Sequence, residues 1–188
     1  MKIPFLTAKR IYLRSLNEED LQGNYIKWLN DPEVCQFNSH HFFPYNQEQG
    51  KQYIQNTNSS HNKLVLAIVT KKDNIHIGNI SLQQINYIDR SAEYAIIIGE
   101  KKYWGQGYAK EASDLIVKHG FVELNLNRIY CGTSEKNFGM IKLAKALNMK
   151  KEGLRRKAMY KNGNYHNIIE FGLLRREYLK ELLPLKSS

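Results

Sequence analysis

"EYAIIIGEKKYWGQGYAKEASDLIVKHGF", residues 93–121, opens as a strand that is apolar on both faces and closes as a helix. A strand with no polar face belongs in the middle of a sheet. In the helix, Ala109, Ala112, Ile116 and Phe121 fall along one side. Between the two, Gly105 and Gly107 stand one residue apart. The start of a helix leaves backbone N–H groups unpaired, and the helix dipole adds positive potential there. Glycines remove the side chains that would block an anion from those groups, and Lys102 just upstream adds a full charge. The construction suits a diphosphate. The same spacing also serves a tight strand-to-helix turn that holds no ligand. A dinucleotide-binding loop is disfavoured, because "GQGYAK" lacks a third glycine and its strand is not the chain's first. The Gly-Lys-Ser/Thr ending of a P-loop is absent.

Working outward, "KLVLAIVT" (63–70) and "IHIGNISLQ" (75–83) read as a hairpin across "KKDN". "NRIYCGTS" (127–134) is a further strand. "NFGMIKLAKALNM" (137–149) is a helix with Ile141, Ala144 and Leu147 inward and Asn148 as its C-terminal cap. "GLRRKAMYKNGNYHNIIEFGLLRREY" (153–178) reads as two strands about an Asn162-Gly163 turn. Towards the N-terminus, "KRIYLRSL" (9–16) has the broken apolar pattern of an edge strand. Asn17 caps a helix that Asp31-Pro32 stops, with Leu21, Tyr25, Trp28 and Leu29 on one face. A looser helix covers about residues 46–57. No repeat or linker interrupts residues 1–188, so the expectation is a single domain that mixes helix and strand (α/β, α+β).

A formal charge of +10 favours anionic partners: phosphates, nucleotides, nucleic acid or an acidic membrane surface. No apolar run approaches the ~20 residues of a membrane span. Lys9, Arg10 and Arg14 break the N-terminal apolar residues, so no signal peptide is expected. Cys35 and Cys131 have neither metal nor redox spacing and read as reduced thiols of a cytoplasmic protein.

"KYWGQGYAKEA" resembles the acetyl-CoA loop of the GNAT N-acetyltransferases, Arg/Gln-x-x-Gly-x-Gly/Ala after a central strand, with Lys102 at the Arg or Gln position. "TAKRIYLRSLNEEDLQGNYIKWLNDPEV" is similar to the opening of the RimJ/RimL-type branch. Residues 127–178 resemble its closing half, and residues 36–63 match least. The resemblance implies the GNAT fold: a mixed, mostly antiparallel central sheet with flanking helices and a splayed parallel strand pair, here residues 92–99 and 127–134. It implies acetyl-CoA as cosubstrate and no metal. The diphosphate would lie against Lys102, Trp104, Gly105, Gln106, Gly107, Tyr108 and Ala109. The pantetheine arm would follow the backbone of Ile96, Ile97 and Ile98, whose side chains read as core. Asn137 would support that arm, although a helix N-cap explains it equally. Lys142 or Lys145 would meet the 3′-phosphate. Three positions depart from the pattern: Met140 replaces a serine, "LNM" replaces "LGF", and Ala144 stands where some relatives carry a catalytic tyrosine.

An alkylammonium ionises near ~10, so acetylation of a primary amine requires a base. Glu93 matches the carboxylate that takes this role through a water in the superfamily, while a structural pairing with a lysine or arginine also accounts for it. Tyr160 or Tyr165 is the candidate acid. Cys131 reads as a packing residue, so direct attack in a ternary complex is preferred to an acyl-cysteine. His40, His41 and Phe42, with Phe43 and Tyr45, would line the acceptor pocket. The expected acceptor is a small-molecule amine, such as an amino or nucleotide sugar, because the +10 charge disfavours polycations. A protein N-terminal amine is the alternative, followed by a non-catalytic RNA- or ribosome-binding module using "KKEGLRRK" and by a CoA sensor. Neither nucleic acid nor a membrane is an expected partner, and the chain is expected to act as a monomer or homodimer.

Overall fold

The computed structural model describes residues 3–182. Eight strands form one sheet: β1 (Leu6–Thr7), β2 (Ile11–Ser15), β3 (Leu64–Thr70), β4 (His76–Asn86), β5 (Ser91–Ile98), β6 (Arg128–Ser134), β7 (Lys150–Lys161) and β8 (Asn164–Leu174). Their spatial order is β1-β2-β3-β4-β5-β6-β8-β7, and every neighbouring pair is antiparallel except β5 and β6. The helices are α1 (Tyr25–Leu29), α2 (Gln47–Asn58), α3 (Tyr108–Val122), α4 (Phe138–Ala146) and α5 (Arg175–Leu182). This is the GNAT fold that the resemblance implies.

Alternation along the strands sorts side chains into two layers. Ile11, Leu13, Ile80, Tyr94 and Ile129 pack against Ala112, Ile116 and Phe121 of α3 and Leu143 and Ala144 of α4. Tyr12, Val65, Ala67 and Val69 pack on the opposite face against Leu21, Tyr25, Trp28, Leu29 and Ile54. The expected helical face of residues 21–29 is therefore buried as a set, but the helix is broken. A 3-10 turn over Glu18–Gln22 precedes Gly23, and α1 begins only at Tyr25. Asn17 and Asp20 bond reciprocally to close that turn, and Gly23 ends it.

The edge-strand reading of residues 9–16 needs correction. β2 is paired on both sides, and Ile11, Tyr12, Leu13 and Arg14 are all buried; the edge is the two-residue β1. Arg14, whose charge suggested an exposed face, lies in a buried ion pair with Asp20 at 2.6 and 2.8 Å. The Asn162-Gly163 turn does form, with φ of 51° and 76°, and Asn148 ends α4 at φ 59°.

One feature of the sheet makes room for a ligand. β5 and β6 share only the rungs Ser91↔Arg128, Ala92↔Ile129 and Glu93↔Tyr130. Beyond Glu93, β5 remains paired with β4 as far as Ile98, and β6 remains paired with β8 as far as Ser134. Both strands stay zipped on their outer sides while their inner sides part, which opens a wedge with its apex at Glu93 and Tyr130.

Candidate active site

The loop between β5 and α3 closes the open end of that wedge. Gly105 and Gly107 take φ of 71° and 82°, left-handed values that a side chain disfavours. A Cβ built at Gly105 would meet nothing within 4 Å. Residues 104–107 are exposed, so the approach to the loop is clear. Among the described residues, no acceptor takes the N–H of Gln106, Gly107, Tyr108, Ala109 or Lys110, whereas the next one, Glu111 N–H, donates to Gly107 O at 3.1 Å. Five successive donors at a helix N-terminus form a concave anion site. Trp104 braces the loop by donating its indole N–H to Ile98 O at 2.7 Å. Gln106 Nε2 donates to Lys102 O at 2.5 Å. Lys102 is exposed, with its ammonium 5.1 Å from the Tyr103 ring. Behind the loop, Ser113 Oγ donates to Ala109 O and bonds the Tyr94 hydroxyl, both at 2.6 Å, which fixes α3 to β5.

The three isoleucines do not contribute alike. Gly99 N–H donates to Ile77 O of the β4 side, so alternation turns the backbone of Ile97 towards β4 and that of Ile96 and Ile98 towards the wedge. Ile97 thus lies outside the expected set, and the Ile98 carbonyl is already held by Trp104. The remaining wedge-facing groups are both backbone groups of Ile96 and the Ile98 N–H. Asn137 caps α4, its Oδ1 accepting from Met140 N–H at 3.1 Å. Lys142 and Lys145 are exposed on the same helix.

At the apex, Glu93 is partly buried and accepts from Gln84 Nε2 at 3.0 Å. No lysine or arginine pairs with it among the described residues. Tyr130 shares its rung; burial first, and the Glu93 carboxylate second, raise the pKa of the tyrosine hydroxyl. Tyr160 is elsewhere. It pairs with Tyr165, seven residues along β8 from Gly172, the partner of Tyr130. Seven residues span about 23 Å at the rise of a strand, so the structure does not bring Tyr160 or Tyr165 to Glu93. Both are exposed at the hairpin tip, with rings 5.0 Å apart. Ala144 is fully buried, so a tyrosine could not simply be restored there. Cys131 is buried against the Met149 sulfur at 3.7 Å, and burial, aided by Glu93, pushes its thiol up to about 12. Such a thiol is a poor nucleophile at neutral pH.

His40, His41 and Phe42 do converge. With Leu29, Phe43, Tyr45 and Gln49 they line a pocket of about 170 Å³. Sequence reasoning missed what holds this loop. Lys161, buried near the hairpin tip, donates to Asn38 O at 3.1 Å and His40 O at 2.7 Å, and lies 4.2 Å over the Phe42 ring. From the other end Lys101 reaches Asp31 at 2.8 Å and Glu33 at 2.5 Å. The Trp28 indole donates to Glu100 at 3.0 Å and covers Gly99, where any Cβ would collide with its ring at 1.9 Å. The acceptor-side layer is thereby bolted to the segment leading into the diphosphate loop. Arg10 was missed too; it reaches that loop from β2's leading edge, donating to Gln106 O at 2.9 Å. Nothing in local sequence links it to residues 96 positions away. Among the described residues, no cluster of His, Cys, Asp and Glu is suited to a metal ion, and no helix is long and apolar enough to cross a membrane.

Known proteins share this arrangement. Residues 10–150 match the acetyltransferase (GNAT) domain family. An uncharacterized N-acetyltransferase, p20, of Bacillus licheniformis is 31% identical over 92% of this chain and 97% of its own length. The spermidine N(1)-acetyltransferase of Escherichia coli K12 is 29% identical over 93% of this chain and 91% of its own. The fold superposes on spermidine N-acetyltransferase from Vibrio cholerae, solved in complex with CoA and spermine, at a TM-score of 0.82. That likeness, at 23% identity, covers 90% of this chain and 98% of the other. The chain belongs to the GNAT acetyltransferase family and is an acetyl-CoA-dependent N-acetyltransferase.

Proposed function

We propose that the chain acetylates the primary amine of a small molecule by direct attack on acetyl-CoA in a ternary complex, as a RimJ/RimL-type member of its family. The observation that carries this reading is the run of unpaired N–H groups beside a wedge whose strands part after Glu93 and Tyr130. The diphosphate sits on the N–H groups of residues 106–110, with Lys102 supplying charge. The pantetheine arm pairs with the wedge-facing groups of Ile96 and Ile98, and Asn137 and Lys142 attend it from α4. The thioester then lies near the apex. Glu93 takes a proton from the acceptor ammonium through a water, and the free amine attacks the acetyl carbon. The tetrahedral intermediate collapses with loss of the CoA thiolate, which a proton donor neutralises. Tyr130, kept protonated beside Glu93, is better placed than Tyr160 to supply that proton.

The acceptor enters through the aromatic pocket of His40, His41 and Phe42. Residues 36–45 contain no Asp or Glu. The nearby acids Asp31, Glu33 and Glu100 are already engaged by Lys101 and Trp28. This favours an amine with an aromatic or phosphate-bearing body, such as an amino or nucleotide sugar, over a polycation. A polyamine is the second reading, supported by the spermidine acetyltransferases among the relatives. A panel of an amino sugar, a nucleotide amino sugar, spermidine and an N-terminal peptide, followed by thiol release from acetyl-CoA, separates them. Spermidine as the best substrate would overturn the first reading. Turnover of none of these amines would remove acetylation of this acceptor class altogether. With the best acceptor, Glu93→Gln should lower kcat about 100-fold, the scale of general-base catalysis. An unchanged kcat would exclude Glu93 as the base.

A further inference from the structure

We propose that Arg10 is a positioning residue for acetyl-CoA: it sets the orientation of the diphosphate loop from outside it. This rests on the diphosphate reading above and adds a residue to it.

Three groups of the Arg10 residue are engaged at one corner. Its backbone N–H donates to Glu111 Oε1 at 2.6 Å and its Nε to Glu111 Oε2 at 2.7 Å. Its Nη1 donates to Gln106 O at 2.9 Å, and its guanidinium lies 4.3 Å over the Tyr108 ring. The contact with Gln106 O matters because of peptide geometry. In a planar trans peptide the carbonyl and the following N–H point in opposite directions. Holding Gln106 O towards Arg10 therefore aims Gly107 N–H away from it, to the open side where the neighbouring N–H groups stand. If this peptide flipped, the carbonyl would face the diphosphate, replacing a donor with a repelling dipole. Gly107 favours such a flip, since glycine accepts both hands of backbone, so the loop needs an external restraint. Glu111, in the first turn of α3, fixes the guanidinium, and its carboxylate offsets the positive charge at the helix start. A lysine could not replace this fork, because one ammonium lacks the planar set of donors that spans Glu111 and Gln106 together.

The test compares two probes: CoA, and S-acetylpantetheine, which has no diphosphate. Dissociation constants are measured by titration calorimetry for CoA and by NMR titration for the weaker fragment. In the unaltered protein CoA should bind at least 100-fold more tightly. In Arg10→Gln, CoA binding should weaken at least tenfold while S-acetylpantetheine binding is unchanged, so the ratio narrows. Arg10→Lys should behave like Arg10→Gln. Glu111→Gln, which frees Arg10 without removing its charge, should narrow the ratio in the same direction, and it decides the matter if Arg10→Gln fails to fold. An undiminished ratio in the folded variants overturns the role of Arg10. A ratio near one in the unaltered protein instead overturns the diphosphate reading itself.

Discussion

On its cofactor side this molecule offers backbone; on its acceptor side it offers side chains. The diphosphate loop consists of N–H groups displayed by two left-handed glycines and the first turn of α3. The acceptor pocket is lined by His40, His41, Phe42 and Tyr45, on a loop whose carbonyls are tied down by Lys161 from the far hairpin. A backbone site tolerates many side chains but depends on conformation, whereas a side-chain site can be re-lined without disturbing the sheet. One half should therefore be common to acetylation of any amine, and the other should decide which amine.

The largest expected effect concerns what joins the two halves. Asp20 holds Arg14 at 2.6 and 2.8 Å and approaches His76 Nδ1 at 3.4 Å, and this buried group fastens the acceptor-side layer to β2 and β4. Burial alone would raise the Asp20 pKa, but Arg14 and His76 outweigh it and hold the carboxylate well below its usual range. A depressed pKa contributes stability above the unfolded value of about 4. That contribution is lost as pH falls below about 4 towards the folded value. Asp20→Asn leaves Arg14 buried opposite a neutral group and should cost roughly 3–5 kcal/mol at pH 7. The cost should shrink as the pH is lowered to 3, read from urea midpoints of both proteins at each pH. A cost that stays constant with pH would show that the charge of Asp20 does not hold the layers together.

A smaller effect, confined to ligand binding, isolates the cofactor half. Gly107→Gln places a side chain at φ 82°, with its Cβ 3.4 Å from Arg10 Nη2. Loss of two N–H contacts to a charged ligand, at about 1.5–3 kcal/mol each, predicts CoA binding weaker by 100-fold or more. Gly163→Gln is the control. It carries similar strain at φ 76° in an exposed turn remote from the loop and should leave CoA binding alone. If CoA still raises the melting temperature of Gly107→Gln as much as that of the control, the phosphates sit elsewhere.

What the sequence made legible follows the same division. β5, the glycine loop, α3 and the Asn162-Gly163 turn are specified by residues within a few positions of one another, and their reading survived intact. The placement of Tyr160 beside Glu93 failed because it depended on register accumulated across β6, β8 and β7, which no local pattern records. Ile97 was grouped with Ile96 and Ile98 because three identical side chains conceal the alternation of their backbones. Arg14 and Arg10 read as solvated charges, yet one is buried with Asp20 and the other is anchored to Glu111, 101 residues away. Local chemistry is visible in sequence; long-range polar pairing is not.

The smallest effect tests whether the acceptor half is truly separable. Phe42 is exposed on one side and covered by the Lys161 ammonium on the other, at 4.2 Å. Phe42→Ala removes a cation–π contact of about 1 kcal/mol together with an aromatic wall of the pocket. The acceptor KM should rise roughly fivefold, the equivalent of that energy, while CoA binding and kcat hold steady. Phe42→Tyr keeps the ring face and should recover most of the loss, since the ammonium still meets an aromatic surface. The decisive quantity is the Kd for CoA in Phe42→Ala. The loop touches the cofactor side only through the Lys101 ion pairs and Trp28, rigid contacts that Phe42 does not share. A parallel rise in that Kd would therefore mean that the loop reaches the wedge itself, and that amine and cofactor are recognised by one continuous surface rather than by two.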